Sequence, residues 1–269
     1  MKKLTALLLT LTMVAGLTAC GGSSDGKTFT VGFDAEYPPY GYMADDGSYT
    51  GFDLELAAEV CERNGWTLVK QPIDWNTKDM ELNSGSIDCI WNGFTLTGRE
   101  DQYTWSVPYV DNSIVFITMN DSDIQSKADL ADKIVVTQAG SSALTALTDD
   151  SEDNAENLAL AASFAELQQV ADYNTAFLNL ESGVVDAIAV DIGVAQYQLT
   201  SRQGTFRMLD EALSTEQYAI GFKLGNEELR DTVQNTLFEM YKDGTFMEIA
   251  EKYADFNLSD MVCIGNYIN

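Results

Sequence analysis

From Phe29 onward, short strand-like runs alternate with segments whose apolar residues recur at helical spacing, and glycines punctuate many of the joints. Parallel strands need long crossovers, which helices supply, so this alternation predicts an α/β fold: a mostly parallel sheet with helices on both faces. Strands are expected at Phe29–Phe33, Thr67–Gln71, Ile87–Trp91, Asn112–Thr118, Ile134–Thr137, Ala187–Val190 and Tyr218–Lys223. Helices are expected at Asp53–Asn64, Lys78–Leu82, Ser141–Thr148, Tyr173–Ser182, Gly193–Thr200, Glu227–Lys242 and Phe246–Tyr253. After Thr118 the pattern restarts, which suggests a second unit within the 269 residues. The acidic run Thr148–Asn157 reads as a solvated loop, because the glycine and spacing of a calcium-binding EF-hand are missing.

Composition excludes several function classes. The chain has no histidine, which removes Ser-His-Asp triads, Cys-His pairs and every His-ligated metal site. With 15 Lys+Arg against 42 Asp+Glu, the net charge of −27 argues against nucleic acid, whose affinity rests on cations displacing counterions. Apolar residues make up 45% of the chain, as in a globular protein and unlike an acidic disordered one.

The first residues carry an address. Lys2 and Lys3 precede an apolar run from Leu4 to Leu17, too short and wrongly flanked for a spanning helix, so residues 1–19 read as a signal peptide. The run ends in Leu17-Thr18-Ala19-Cys20, which resembles the lipobox of bacterial lipoproteins, so Cys20 is the expected lipidation site and residues 20–27 a flexible tether. The expected location is extracytoplasmic, lipid-anchored to the cell membrane. Gly21 to Thr28 (GGSSDGKT) matches the phosphate-binding P-loop pattern, but a signal precedes it and a strand follows, so nucleotide binding is rejected. Cys61, Cys89 and Cys263 remain; at most one disulfide is possible, and the pairing stays open.

Several fragments resemble, in order, a known family. They are Val31 to Tyr40 (VGFDAEYPPY), Gly51 to Ala57 (GFDLELA), Ser84 to Asp88 (SGSID), and Gly93 to Arg99 (GFTLTGR). Trp105 to Tyr109 (WSVPY), Gln138 to Ser142 (QAGSS), Leu180 to Ala187 (LESGVVDA) and Asp243 to Phe246 (DGTF) follow. Together they resemble the bacterial extracellular solute-binding proteins, family 3, which serve ABC importers of polar amino acids. The resemblance implies a two-lobed periplasmic-binding-protein fold of type II with two hinge crossings. Carried over, it gives lobe 1 as residues 28–112 and 218–269 and lobe 2 as 113–217. It implies a monomer that binds a free amino acid and meets ABC permease subunits, with no cofactor, no metal and no catalysis. Dehydratases and receptor sensor modules share the fold and are the rival readings.

The resemblance also points to site residues. Arg99 would take the ligand carboxylate, since a guanidinium offers a fixed two-pronged donor. Ser141 and Ser142, at the start of a helix, would assist. Asp191, just after a strand, would take the ammonium with the Thr95 hydroxyl and the Gly93 carbonyl. Tyr37, Trp75 and Phe94 would flank the aliphatic part. Asp34, with no second basic residue evident beside Arg99, would favour a neutral polar or cationic side chain over an acidic one.

Overall fold

The computed structural model describes residues 26–268. The expected signal peptide, the expected lipidation site Cys20 and most of the expected tether lie outside the described residues. Strand β1 (Thr28–Phe33) opens the chain, and the short strands β2 (Glu36–Tyr37), β3 (Gly41–Met43) and β4 (Tyr49–Thr50) form a small antiparallel sheet beside it. Helix α1 (Phe52–Asn64) buries Phe52, Leu54, Leu56, Ala57, Val60 and Cys61, with Asp53 and Glu55 in its first turn. It stops at Gly65, whose φ of 65° is left-handed backbone suited to glycine. Next come β5 (Thr67–Pro72), α2 (Lys78–Ser84), β6 (Cys89–Ile90) and β7 (Thr104–Trp105).

The long strand β8 (Val110–Met119) then carries the chain into a second sheet with β9 (Ile134–Gln138). Helices α3 (Ser142–Thr148) and α4 (Ala155–Ala162), strand β10 (Glu166–Val170) and helix α5 (Tyr173–Glu181) follow. Strand β11 (Ala187–Asp191), helix α6 (Ile192–Ser201), strand β12 (Phe206–Met208) and strand β13 (Ser214–Tyr218) complete this unit. The chain returns through β14 (Gly221–Phe222) and ends in α7 (Glu227–Asp243) and α8 (Thr245–Glu251), followed by short turns.

The strand order is β5-β1-β6-β14-β7 in the first sheet and β10-β9-β11-β8-β12 in the second, where β13 also pairs with β8. Both sheets are mixed, which corrects the expectation of mostly parallel pairing. β1 runs parallel to β5 and β6, but β14 is antiparallel to its neighbours. β9 runs parallel to β10 and β11, whereas β8 is antiparallel to β11, β12 and β13.

Burial on both sheet faces follows the two-residue period of a strand. In β8, Val115 and Ile117 enter the main core, while Ile114 and Phe116 enter a second core beneath α3. Ile188 and Val190 of β11 repeat the first face, and Ala187 and Ala189 the second.

Three segments depart from the sequence reading. Tyr218–Lys223, read as one strand, is the end of β13 and then β14, in different sheets, joined through Ala219 and Ile220. The acidic segment read as a loop as far as Asn157 gives way at Ala155 to α4, whose Leu160 and Ala161 pack partly buried against the second core. Strand β10 lies at a sheet edge, is only partly buried and carries Gln168 and Gln169, so it shows no alternation to read. Cys61, Cys89 and Cys263 are buried and unpaired, and burial pushes the Cys61 thiol up to about 11 and Cys263 to about 12.

The architecture focuses polar groups where the two sheets meet. Antiparallel β8 and β13 are the two segments that join the units, and their register sets Asn112 opposite Glu216. Loops that follow β1 and β6 face those that follow β9 and β11 across this junction, the place where α/β sheets gather ligand groups.

Candidate functional site

A cavity lies between the two units. Its cavity volume is about 10 Å³, room for about one water molecule. A molecule larger than a few atoms therefore enters only if the walls part. Tyr37, Trp75, Gly93, Thr95, Arg99, Ser141, Ser142 and Asp191, all expected from the sequence, line it.

Arg99 follows the turn Thr97-Gly98, where Gly98 adopts a φ of 78°. Its guanidinium donates to the Thr95 carbonyl at 3.2 Å and to the Gly140 carbonyl of the other unit at 3.5 Å. None of the ion pairs among the described residues involves Arg99. A guanidinium bonded only to carbonyls keeps its full charge for an anion.

On the facing wall stands Asp191, 2% exposed, at the end of β11 and start of α6. Its Oδ1 accepts from the Tyr218 hydroxyl at 2.6 Å and from Asn112 Nδ2 at 2.8 Å. The same Asn112 amide donates at 2.8 Å to Oε1 of Glu216, which also accepts from Thr95 Oγ1 at 2.7 Å and Ser142 Oγ at 3.1 Å. One amide thus bridges two buried carboxylates. Burial raises the Asp191 carboxyl above the usual range. Burial first, and the neighbouring Asp191 charge second, push Glu216 up to about 7.

The remaining walls are aromatic and hydroxylic. Trp75 stands edge-on to Phe94, with ring centroids 5.4 Å apart, and the Tyr37 hydroxyl lies 3.1 Å from that of Tyr218. Ser141 caps α3: its Oγ accepts from the Leu144 amide at 3.1 Å and donates to the Gln138 carbonyl at 2.7 Å. Gly93, with φ of 54°, passes so close that a Cβ there would meet Tyr218 Cε2 at 2.9 Å, which only glycine avoids. Its amide donates at 2.6 Å to Asp53, a buried carboxyl that burial pushes up to about 7.

Two expected residues lie behind the walls. Phe94 is fully buried among Trp75, Tyr103 and Trp105 and supports Arg99 from below, 5.4 Å from guanidinium carbon to ring centroid. Asp34 also leaves the lining. Its Oδ2 accepts from Gln138 Nε2 of the other unit at 2.6 Å, its Oδ1 from the Glu36 amide at 2.8 Å, and its own amide donates to Asn92 Oδ1 at 2.7 Å.

The sequence reading missed Asn92 and Gln138 in the lining, Asn112 and Glu216 beside it, and Lys78. Gln138 lay inside the quoted QAGSS fragment, and Asn92 stands one residue before Gly93. Asn112 and Glu216 carry no such signal, since strand register alone joins them. Lys78 corrects the premise that Arg99 has no basic neighbour. It is 6% exposed, and its Nζ lies 3.4 Å from the carbonyls of Trp75 and Gly140. Burial first, then the Arg99 charge, lowers its ammonium to about 8.

Among the described residues no helix is long and apolar enough to cross a membrane, and no group of three or more His, Cys, Asp or Glu is set to hold a metal.

The family model described as "Bacterial extracellular solute-binding proteins, family 3" matches residues 29–256. The L-cystine-binding protein TcyJ of Escherichia coli strain K12 is 27% identical over 257 residues, spanning 91% of this chain and 92% of its own. The structure of an ABC uptake transporter substrate binding protein from Streptococcus pneumoniae with bound histidine has a TM-score of 0.78 and 33% identity, covering 84% of this chain and 92% of that one. That of Tv2483 bound to L-arginine has a TM-score of 0.80 and 26% identity, covering 88% and 93%.

Proposed function

This chain belongs to the bacterial extracellular solute-binding proteins, family 3, and we propose that it captures a free polar amino acid, neutral or cationic, for an ABC importer. The observation that carries the reading is one charge of each sign on facing walls of a single cavity: the unpaired Arg99 guanidinium and the Asp191 carboxylate. A free amino acid carries the complementary pair on one carbon.

In this reading Arg99, with Ser142 and Ser141, holds the ligand carboxylate. Asp191 takes the ammonium, assisted by the Thr95 hydroxyl and the Gly93 carbonyl, and Trp75 and Tyr37 flank the side chain. Preference for a neutral or cationic side chain rests on the carboxylates gathered at the junction, Asp191, Glu216 and Asp34. Lys78 does not line the cavity, and its ammonium is turned to the Trp75 and Gly140 carbonyls, so it adds no second anion site.

Capture couples to closure of lobe 1 (residues 28–112 and 218–269) on lobe 2 (113–217), because a ligand touching both walls binds the closed form better and shifts the population toward it. Residues 1–19 are then a signal peptide and Cys20 a lipid anchor that holds a monomer outside the cell membrane beside its permease. The protein binds and releases; it does not catalyse. The test is a thermal-shift panel of the twenty L-amino acids on the mature protein. A neutral polar or cationic amino acid should give the largest shift. A flat panel, or glutamate or aspartate binding at least tenfold tighter than all others, sinks the reading.

A further inference from the structure

We propose that Asp34 is a positioning residue that acts on the bound amino acid through Gln138, fixing that amide so that its carbonyl oxygen, not its NH2 group, faces the cavity. The inference rests on the amino-acid-binding reading and names what selects the ligand side chain.

The orientation of the amide follows from its partners. Gln138 Nε2 donates to Asp34 Oδ2 at 2.6 Å and to the Ala171 carbonyl at 2.9 Å. Burial pushes the Asp34 carboxyl up to about 6, so above that pH both partners can only accept, the group between them is the NH2, and both of its hydrogens are committed. The carbonyl Oε1 is left to point elsewhere. It receives no hydrogen bond from the described residues and is not among the enclosed unpartnered polar atoms. Gln138 is 1% exposed and lines the cavity, and it is there that we set the free Oε1.

Asp34 is itself held in place. Its second oxygen takes the Glu36 amide at 2.8 Å, and its own amide is anchored on Asn92 Oδ1 at 2.7 Å. One carboxylate of the first unit thus sets an amide of the second, and it does so only when the two units meet. A second contact across the same seam, Asn174 Nδ2 donating to Glu36, lies two residues away from Asp34. The consequence is a single acceptor, held rigidly, beside the aromatic walls of Tyr37 and Trp75. An amino acid whose side chain offers an N–H at that point is favoured. One that offers a carboxylate meets the oxygen lone pairs and is rejected, since leaving buried polar groups unpaired is costly. This differs from direct contact between Asp34 and the ligand side chain, because Asp34 lies outside the lining.

The test is a double-mutant cycle with Asp34→Asn and Gln138→Met, separately and combined. Each protein is screened by thermal shift against the twenty L-amino acids and L-cystine, and the strongest wild-type binder of that panel is then titrated calorimetrically. Asp34→Asn keeps an oxygen for the Glu36 amide while presenting NH2 to Gln138, so the Gln138 amide stands between an NH2 and the Ala171 carbonyl and neither orientation satisfies both, which removes the single fixed orientation. Each single variant should lose at least tenfold in affinity, and the double variant should lose no more than about threefold beyond Gln138→Met, because the two residues act in series. Within the panel, Asp34→Asn should raise the L-glutamine and L-glutamate shifts relative to those of L-arginine and L-lysine, which loss of packing alone would not do. Multiplicative losses in the double variant, an unchanged panel order, or unaltered affinity in either single variant overturns the inference and leaves amino-acid binding standing. A flat wild-type panel overturns both.

Discussion

Asp191→Asn separates the binding role of a buried charge from its effect on folding, and the two effects have opposite signs. The asparagine keeps an oxygen of the same shape for Tyr218 and Asn112, which donate to Asp191 at 2.6 and 2.8 Å, so the local bonds survive. What disappears is the charge that would face the ligand ammonium. Breaking one side of a buried, hydrogen-bonded charge pair costs about 2–5 kcal/mol, equivalent to roughly a 30- to 5,000-fold loss in affinity. Without ligand the balance reverses. Burial already disfavours the Asp191 carboxylate and raises its pKa, so a neutral group at this position removes a penalty from the folded state. Calorimetric titration at pH 7.5 should show the affinity loss, and scanning calorimetry of the ligand-free variant should show a melting temperature unchanged or higher. A loss of about 1 kcal/mol lowers the melting temperature of a chain this size by about 2–4 °C. A fall beyond that range, or an affinity within threefold of wild type, refutes the reasoning.

Closure is tested by Gly193→Ala. A Cβ on this glycine, at the start of α6, would lie 2.8 Å from Tyr40 Cε2 of the first unit. Overpacking of that kind costs about 1–3 kcal/mol, and parting the lobes relieves it, so affinity should fall while the ligand-free melting temperature holds; equal affinity contradicts the closure account. Stability should also fall as pH rises from about 4.5 to 7. Burial pushes the folded-state Glu216 carboxyl up to about 7 from its ordinary 4.5, and Asp53 likewise to about 7 from 3.8. The folded state binds more protons than the unfolded chain in that window, so these groups contribute stability that is complete below it and lost across it, on the order of 3 kcal/mol for Glu216. Urea midpoints of ligand-free protein should show this slope and Glu216→Gln should flatten it; a midpoint that rises toward pH 7 contradicts it.

The sequence located the cavity walls well because the relevant residues sit at strand ends and glycine-bounded loops, which α/β topology brings together. Arg99, Gly93 and Thr95 follow β6, and Asp191 ends β11; their place was legible from alternation and local fragments. The bonding pattern was not. Asn112 meets Glu216 through the β8–β13 register, over a separation of 104 residues, and Gln138 meets Asp34 over the same separation. No short-range pattern encodes such pairs. The same limit moved Asp34 and Phe94 behind the walls: a strand-end acid and a loop aromatic read alike whether they face a cavity or back it. Helix α4 was missed for a different reason: six of its eight residues are Ala or Leu, and it follows directly on an acidic run, so no polar face marks it off.

The central claim is that Arg99 and Asp191 read the two charged ends of one amino acid. Its most direct test is calorimetric titration with the strongest amino acid of the panel, its carboxamide, and its N-acetyl derivative. Each blocked compound should bind at least about 30-fold more weakly than the parent, the minimum for losing one buried charge pair. If either blocked form binds within threefold of the free amino acid, the two residues do not form the zwitterion site described above.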